Sequence, residues 1–142
     1  MPSPRALPLI LIADDDVGEL FVLRRCLEKA GVKNPVVTFS DADRLISFLR
    51  ATNLRDTVEP SLRPAALFLD AKLRRSGTTQ VLEWLKATPA MRRLSIIVTA
   101  DEWSAPERAK FAASFGVRHF ATKCPTASEL QAIARHAHWD RE

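Results

Sequence analysis

LILIADDD, residues 9 to 16, is the stretch from which the fold can be read. Leu9 to Ala13 form an unbroken apolar run, too short for a buried helix and without the alternation of a strand that has one wet face. They predict a strand covered on both sides, and the run then stops on three acids. Strands buried on both faces belong to parallel sheets sandwiched between helices, and such sheets carry their chemistry beyond the carboxyl ends of the strands. Three further runs end in the same way: ALFL on Asp70, SIIV on Thr99 and HFAT on Lys123.

Working outward, helix signals separate these runs. Asp16 and Glu19 form a capping pair, Leu20, Leu23 and Leu27 recur at helical spacing, and Gly31 offers a left-handed stop, which predicts a helix over 17 to 30. Val36 to Phe39 reads as a second strand, and Ser40 with Asp43 opens a helix that ends near Arg50. Residues 51 to 64 hold two prolines and no periodicity, the mark of a long surface loop. Ala65 to Leu69 predicts strand three and Thr79 to Ala87 a helix with Val81, Leu82 and Leu85 facing inward. Ser95 to Val98 is strand four, followed by a Ser104/Glu107 capping box, a helix bearing Phe111 and Phe115, and Gly116 as its stop. Strand five covers about 118 to 122, and Thr126 with Glu129 caps a last helix striped by Leu130, Ile133, Ala134 and Ala137. Strict alternation of five strands and five helices predicts an α/β, flavodoxin-like (βα)5 doubly wound parallel sheet in the order 2-1-3-4-5. The whole chain, 1 to 142, reads as one domain with its core over about 7 to 138.

Composition narrows the class. Hydrophobic content is 46%, and no apolar run approaches the ~18 residues that span a bilayer, so no membrane partner is expected. The start, MPSPRALPLILIADDD, lacks a signal-peptide cleavage site, and Cys26 and Cys124 are too few for a disulfide framework. Both point to a reducing cytoplasm with free thiols. The net charge of +4 comes from fifteen Arg and six Lys set against seventeen acids, scattered through every segment; a solvated surface explains this better than nucleic-acid binding does.

The predicted strand order brings Asp14, Asp15, Asp70, Thr99 and Lys123 to one edge. Two carboxylates ~4 Å apart repel by about 4 kcal/mol at an effective dielectric of 20, so either one keeps its proton or a divalent cation sits among them. An all-oxygen cluster suits Mg²⁺, and an added ammonium and hydroxyl complete a site for phosphoryl oxygens.

In these residues the chain resembles the CheY-like receiver domain, the response-regulator half of bacterial two-component signalling, over nearly all of residues 7 to 138. Asp14 and Asp15 match the metal-binding acids, Asp70 the phosphoacceptor, Thr99 with Ala100 the switch hydroxyl and its small neighbour, Lys123 the lysine, and Phe120 the aromatic switch position. The first helix and the loop before strand three are similar to those of stand-alone regulators that partner bacterial phytochromes. The resemblance implies a single-domain regulator rather than an enzyme, with at most slow self-dephosphorylation. It would take a phosphoryl group from a sensor histidine kinase, of phytochrome type or through a phosphotransfer protein, and signal to a downstream protein. It implies Mg²⁺ held directly by Asp15 and Asp70, through water by Asp14, and by the backbone carbonyl of Lys72, and a homodimer through helices four and five. The alternative is a pseudo-receiver, an adaptor that works without phosphorylation.

That alternative draws on departures from the family pattern. Lys72 stands where Asn is frequent, Arg74 where Pro is usual, and Thr78 where Gly is expected, with Gly77 one place early. Cys124 precedes Pro125, so the peptide after Lys123 is expected to be trans. Asp16 reads as a helix cap, Trp84 and Trp103 as packing residues, and His119, His136 and His138 as surface or packing residues without ligand spacing.

Overall fold

The computed structural model describes residues 7 to 53 and 63 to 140. In chain order the elements are β1 (Leu9–Ala13), α1 (Val17–Lys29), β2 (Val36–Phe39), α2 (Ala42–Asn53), β3 (Pro64–Asp70), α3 (Gly77–Lys86), a 3-10 turn (Pro89–Met91), β4 (Ser95–Ala100), α4 (Ala105–Phe115), β5 (His119–Thr122) and α5 (Ala127–Ala137). All strand pairs are parallel and the order is β2-β1-β3-β4-β5, the flavodoxin-like arrangement. No helix among the described residues is long and apolar enough to cross a membrane.

Side chains alternate across a strand, so an unbroken apolar run must feed two cores at once. Leu9, Leu11, Ala13, Leu67 and Leu69 join a core completed by α2 and α3, while Ile10, Ile12, Ala66 and Phe68 join one completed by α1 and α5. The second core is closed from beyond α5 by buried Trp139, whose ring lies 5.9 Å from that of Phe68. The buried amide of Asn34 donates to the carbonyls of Pro8 and Trp139 and ties both ends of the described chain together.

Several boundaries differ from the sequence expectation. Asp41, not Ser40, caps α2: its carboxylate accepts the Arg44 N–H at 2.8 Å, and the helix runs on to Asn53. Of the expected loop, residues 54 to 62 lie outside the described residues. Helix α3 starts at Gly77, two residues earlier than expected, after Arg75 and Ser76 turn the chain at φ of 57° and 56°. A Cβ on Gly77 would meet Leu73 at 3.0 Å and Ala42 at 3.2 Å, so a bare Cα lets α3 begin hard against α2. Gly116, at φ 69°, closes α4 as expected, and the described residues contain no cis peptide bond.

Candidate metal centre at the strand ends

Register decides what meets. Ala13 pairs with Leu69 and Asp70 with Thr99, so β1, β3 and β4 end side by side and release Asp14, Asp15 and Asp70 at one edge. One carboxylate oxygen from each of these three acids lies within 4.8 Å of the others. Asp14, Asp70 and Thr99 are buried and Asp15 is half-buried. The cleft in front of Asp15 and Asp70 has a volume of about 490 Å³ and is rimmed by further acids, among them Glu19, Asp101 and Glu107.

Lys123, just past β5, is the hub. Its Nζ lies 2.6 Å from Asp14 Oδ2, 3.0 Å from Asp70 Oδ1 and 3.2 Å from Glu19 Oε2. Burial alone would pull this ammonium down, but the hydrogen bonds and charges of Asp14 and Asp70 outweigh it and hold its pKa above the ordinary lysine value. The acids move upward as well. Burial raises the Asp70 carboxyl further than the Lys72 amide and Lys123 lower it, and burial likewise outweighs Lys123 and the Asp16 amide at Asp14. The causes differ: the acids rise because they are buried, although Lys123 lowers them, and the lysine rises because Asp14 and Asp70 face it, although it is buried.

Backbone amides hold the acids in place. The Asp16 N–H donates to Asp14 Oδ1 at 2.9 Å, the Lys72 N–H to Asp70 Oδ1 at 3.0 Å, and the Arg74 N–H to Asp15 Oδ2 at 2.9 Å. Among the described residues no hydrogen bond falls on Asp15 Oδ1 or Asp70 Oδ2, which leaves a hard oxygen on each side of the cluster. Carboxylate oxygens in excess of the positive charge fit a hard divalent cation such as Mg²⁺. Phe120 stands apart from the acids: its ring packs edge-on against Trp103 at 5.0 Å.

Sequence reasoning missed three contributors. In sequence Glu19 reads as the second half of a capping box, and its N–H does donate to Asp16 at 3.1 Å. The Asp16 N–H, however, is taken by Asp14, so the Glu19 carboxylate turns to Lys123. Thr78, noted only as a departure, organises the loop after Asp70: its buried hydroxyl donates to the Asp70 carbonyl at 2.6 Å and accepts the Leu73 N–H at 2.8 Å. Trp103 donates its indole N–H to the Ala121 carbonyl at 2.8 Å, pinning the loop between β4 and α4 onto β5. An acid in a first helical turn, a threonine past a strand and a tryptophan in a loop carry no sequence signal for these roles.

Thr78→Val leaves the Leu73 N–H and the Asp70 carbonyl without their partner in a buried setting, at about 1–3 kcal/mol for each unpaired group. A loss of at least ~2 kcal/mol in urea unfolding is expected, with Thr78→Ser close to the parent. Equal losses for Val and Ser would contradict the hydroxyl's role.

No protein-family model matches the sequence, and no curated protein matches it. Solved structures do. A bacteriophytochrome response regulator, AtBRR, superposes with a TM-score of 0.75 at 22% identity, over 94% of this chain and 94% of that one. A two-component response regulator from Cytophaga hutchinsonii gives a TM-score of 0.80 at 15% identity, over 94% and 98%. A response regulator in red light signaling of R. palustris gives 0.71 at 22% identity, over 93% and 92%. Set beside the observed strand order, these superpositions show that the chain has the fold of the response-regulator receiver domain.

Proposed function

We propose that this protein is a single-domain response regulator that accepts a phosphoryl group on Asp70 from a sensor histidine kinase or phosphotransfer protein. The observation that carries this reading is Lys123, poised between Asp14 and Asp70 at the mouth of a three-acid cluster. Asp14, Asp15 and Asp70, with the backbone carbonyl of Lys72, would hold Mg²⁺. The ion's contribution is to offset negative charge between the carboxylates and an incoming phosphoryl group. An Asp70 oxygen attacks phosphorus in line and the histidine nitrogen leaves, giving an aspartyl phosphate. The Lys123 ammonium then exchanges its Asp70 contact for a phosphoryl oxygen, and the Thr99 hydroxyl takes another.

Movement of Thr99 pulls on the loop that Trp103 holds to Ala121, and Phe120 lies against that indole. Phosphorylation is therefore expected to strain the Trp103 hydrogen bond and repack Phe120, changing the α4–β5 surface presented to a downstream protein or a second copy. Val17 and Phe21 are 75% and 64% exposed on α1, the helix that also carries Glu19 to the cleft, which supports a protein partner on that helix, and a kinase of phytochrome type agrees with the named neighbours. The protein acts in the cytoplasm as a phosphoacceptor, not as an enzyme beyond slow self-dephosphorylation.

One observation favours an adaptor that works without phosphorylation: Arg74 engages Asp15 through its amide and, at 3.6 Å, through its exposed guanidinium. A single experiment separates the readings. Incubation with acetyl phosphate and Mg²⁺ should add the mass of one phosphate, labile in base and absent from Asp70→Asn. No adduct with either acetyl phosphate or a kinase donor would leave the adaptor reading.

A further inference from the structure

Cys26 and Cys124 are the chain's only cysteines, 98 residues apart in sequence, and the fold sets their sulfurs 2.9 Å from one another. Cys26 is half-buried on α1, about two turns past Glu19, while Cys124 is exposed in the loop between β5 and α5, directly after Lys123. Both thiols are free. A disulfide needs its sulfurs at about 2.05 Å, so closing this pair asks for an approach of about 1 Å, within the reach of an exposed loop residue.

We propose that Cys26 and Cys124 form a reversible dithiol–disulfide site, oxidised by a small disulfide such as oxidised glutathione. The exposed Cys124 thiolate attacks one sulfur of the small disulfide; a bond forms between Cys124 and glutathione, and one glutathione thiolate leaves. Cys26 then loses its proton and attacks the Cys124 sulfur, forming the Cys26–Cys124 bond and releasing the second glutathione thiolate. Two protein thiols are oxidised, one small disulfide is reduced to two thiols, and the two protons end on glutathione. Burial, and then the neighbouring Cys124, push the Cys26 thiol up to about 11, which leaves the first attack to Cys124.

The position gives the bond a consequence. Lys123 already ties the start of this loop to α1 through Glu19, by charge alone. Oxidation would fasten the next residue covalently to the same helix, fixing the seam beside the ammonium that also binds Asp14 and Asp70. None of this requires phosphorylation, so it stands or falls independently of the function proposed above.

The test uses the full chain in buffers of graded reduced-to-oxidised glutathione ratio, quenched with acid, alkylated with N-ethylmaleimide and read by intact mass. Wild type should give a monomer that has lost two hydrogens, takes up no maleimide, melts at a higher temperature than the reduced form, and reverts with dithiothreitol. Cys26→Ser, or Cys26→Ala should the first fold poorly, should instead hold a glutathione adduct on Cys124 that outlives the wild-type adduct roughly tenfold or more. Cys124→Ser should react far more slowly. A wild type that halts at the adduct, or that cross-links only between molecules, overturns the proposal, as does a Cys124→Ser variant that is glutathionylated at the wild-type rate.

Discussion

Lys123→Met should cost ~3–5 kcal/mol of stability near pH 7 in cation-free buffer, the range for removing one partner of a buried ion pair. The Lys123 side chain is only 13% exposed and serves three carboxylates, two of them at side-chain exposures of 5% and 10%. Without the ammonium, Asp14 and Asp70 keep their desolvation penalty and their mutual repulsion with nothing to offset either. Because the folded pKa of Lys123 lies above the unfolded value, its stabilisation is complete below about pH 10.4 and is lost only as pH rises through the folded value. Wild type therefore has the full benefit at pH 7. The raised acids run the opposite way to a salt-bridged aspartate: their contribution is most favourable below the unfolded value near 3.9 and is lost as pH rises through the folded one. The deficit of Lys123→Met should accordingly be smaller in mildly acidic than in neutral buffer, because the uncompensated carboxyls, whose pKa values burial raises, take up protons as pH falls. Urea unfolding of both proteins at the two pH values measures this. A loss under ~1 kcal/mol at neutral pH, or one that does not depend on pH, would show that Lys123 is not the acids' counter-charge.

Where local chemistry decides, the sequence is informative. The run Leu9 to Ala13 reads as doubly buried because its alternate residues enter different cores, leucines on the α2–α3 side and isoleucines on the α1–α5 side. Strand-end residues can be assembled in advance because parallel register and right-handed crossovers leave little choice of where Asp14, Asp70 and Thr99 emerge. Long-range competition for a hydrogen bond is what escapes. The Asp16/Glu19 and Thr126/Glu129 pairs look alike in sequence, yet only the second closes as a reciprocal box, because Asp14 claims the Asp16 amide and Lys123 the Glu19 carboxylate. The start of α3 escapes for a related reason: the Thr78 hydroxyl takes over the backbone groups of Asp70 and Leu73, and the tight approach at Gly77 places the helix earlier than its apolar spacing suggests. Cys26 and Cys124 are equally opaque, since no spacing rule brings residues 98 positions apart into contact.

Mg²⁺ should stabilise the wild type and leave Asp70→Asn unmoved. Asp14, Asp15, Asp70 and Glu19 bring four carboxylates to the site against the Lys123 ammonium and an exposed Arg74, so the folded state carries repulsion that a divalent cation relieves and that the extended chain lacks. An ion bound by the folded state alone contributes RT ln(1 + [Mg²⁺]/Kd), about 2.7 kcal/mol at one hundred times Kd, or a rise in melting temperature on the order of 10 °C for a domain of this size. The same repulsion sets the behaviour of the variant without metal. Asn at position 70 keeps an oxygen for the Lys72 N–H and drops a charge whose ionised form the fold disfavours, so Asp70→Asn should melt above wild type in chelator and below it in saturating Mg²⁺. Acid should abolish the wild-type response, because protons compete with the ion for Asp14 and Asp70 as pH falls through their raised values. Sodium chloride at matched ionic strength separates site binding from general screening. If sodium reproduces the shift, or if Asp70→Asn shifts as far as wild type, the acids repel one another without forming a metal site, and the crossing of the two melting curves, which only a shared ion at Asp70 produces, will not be seen.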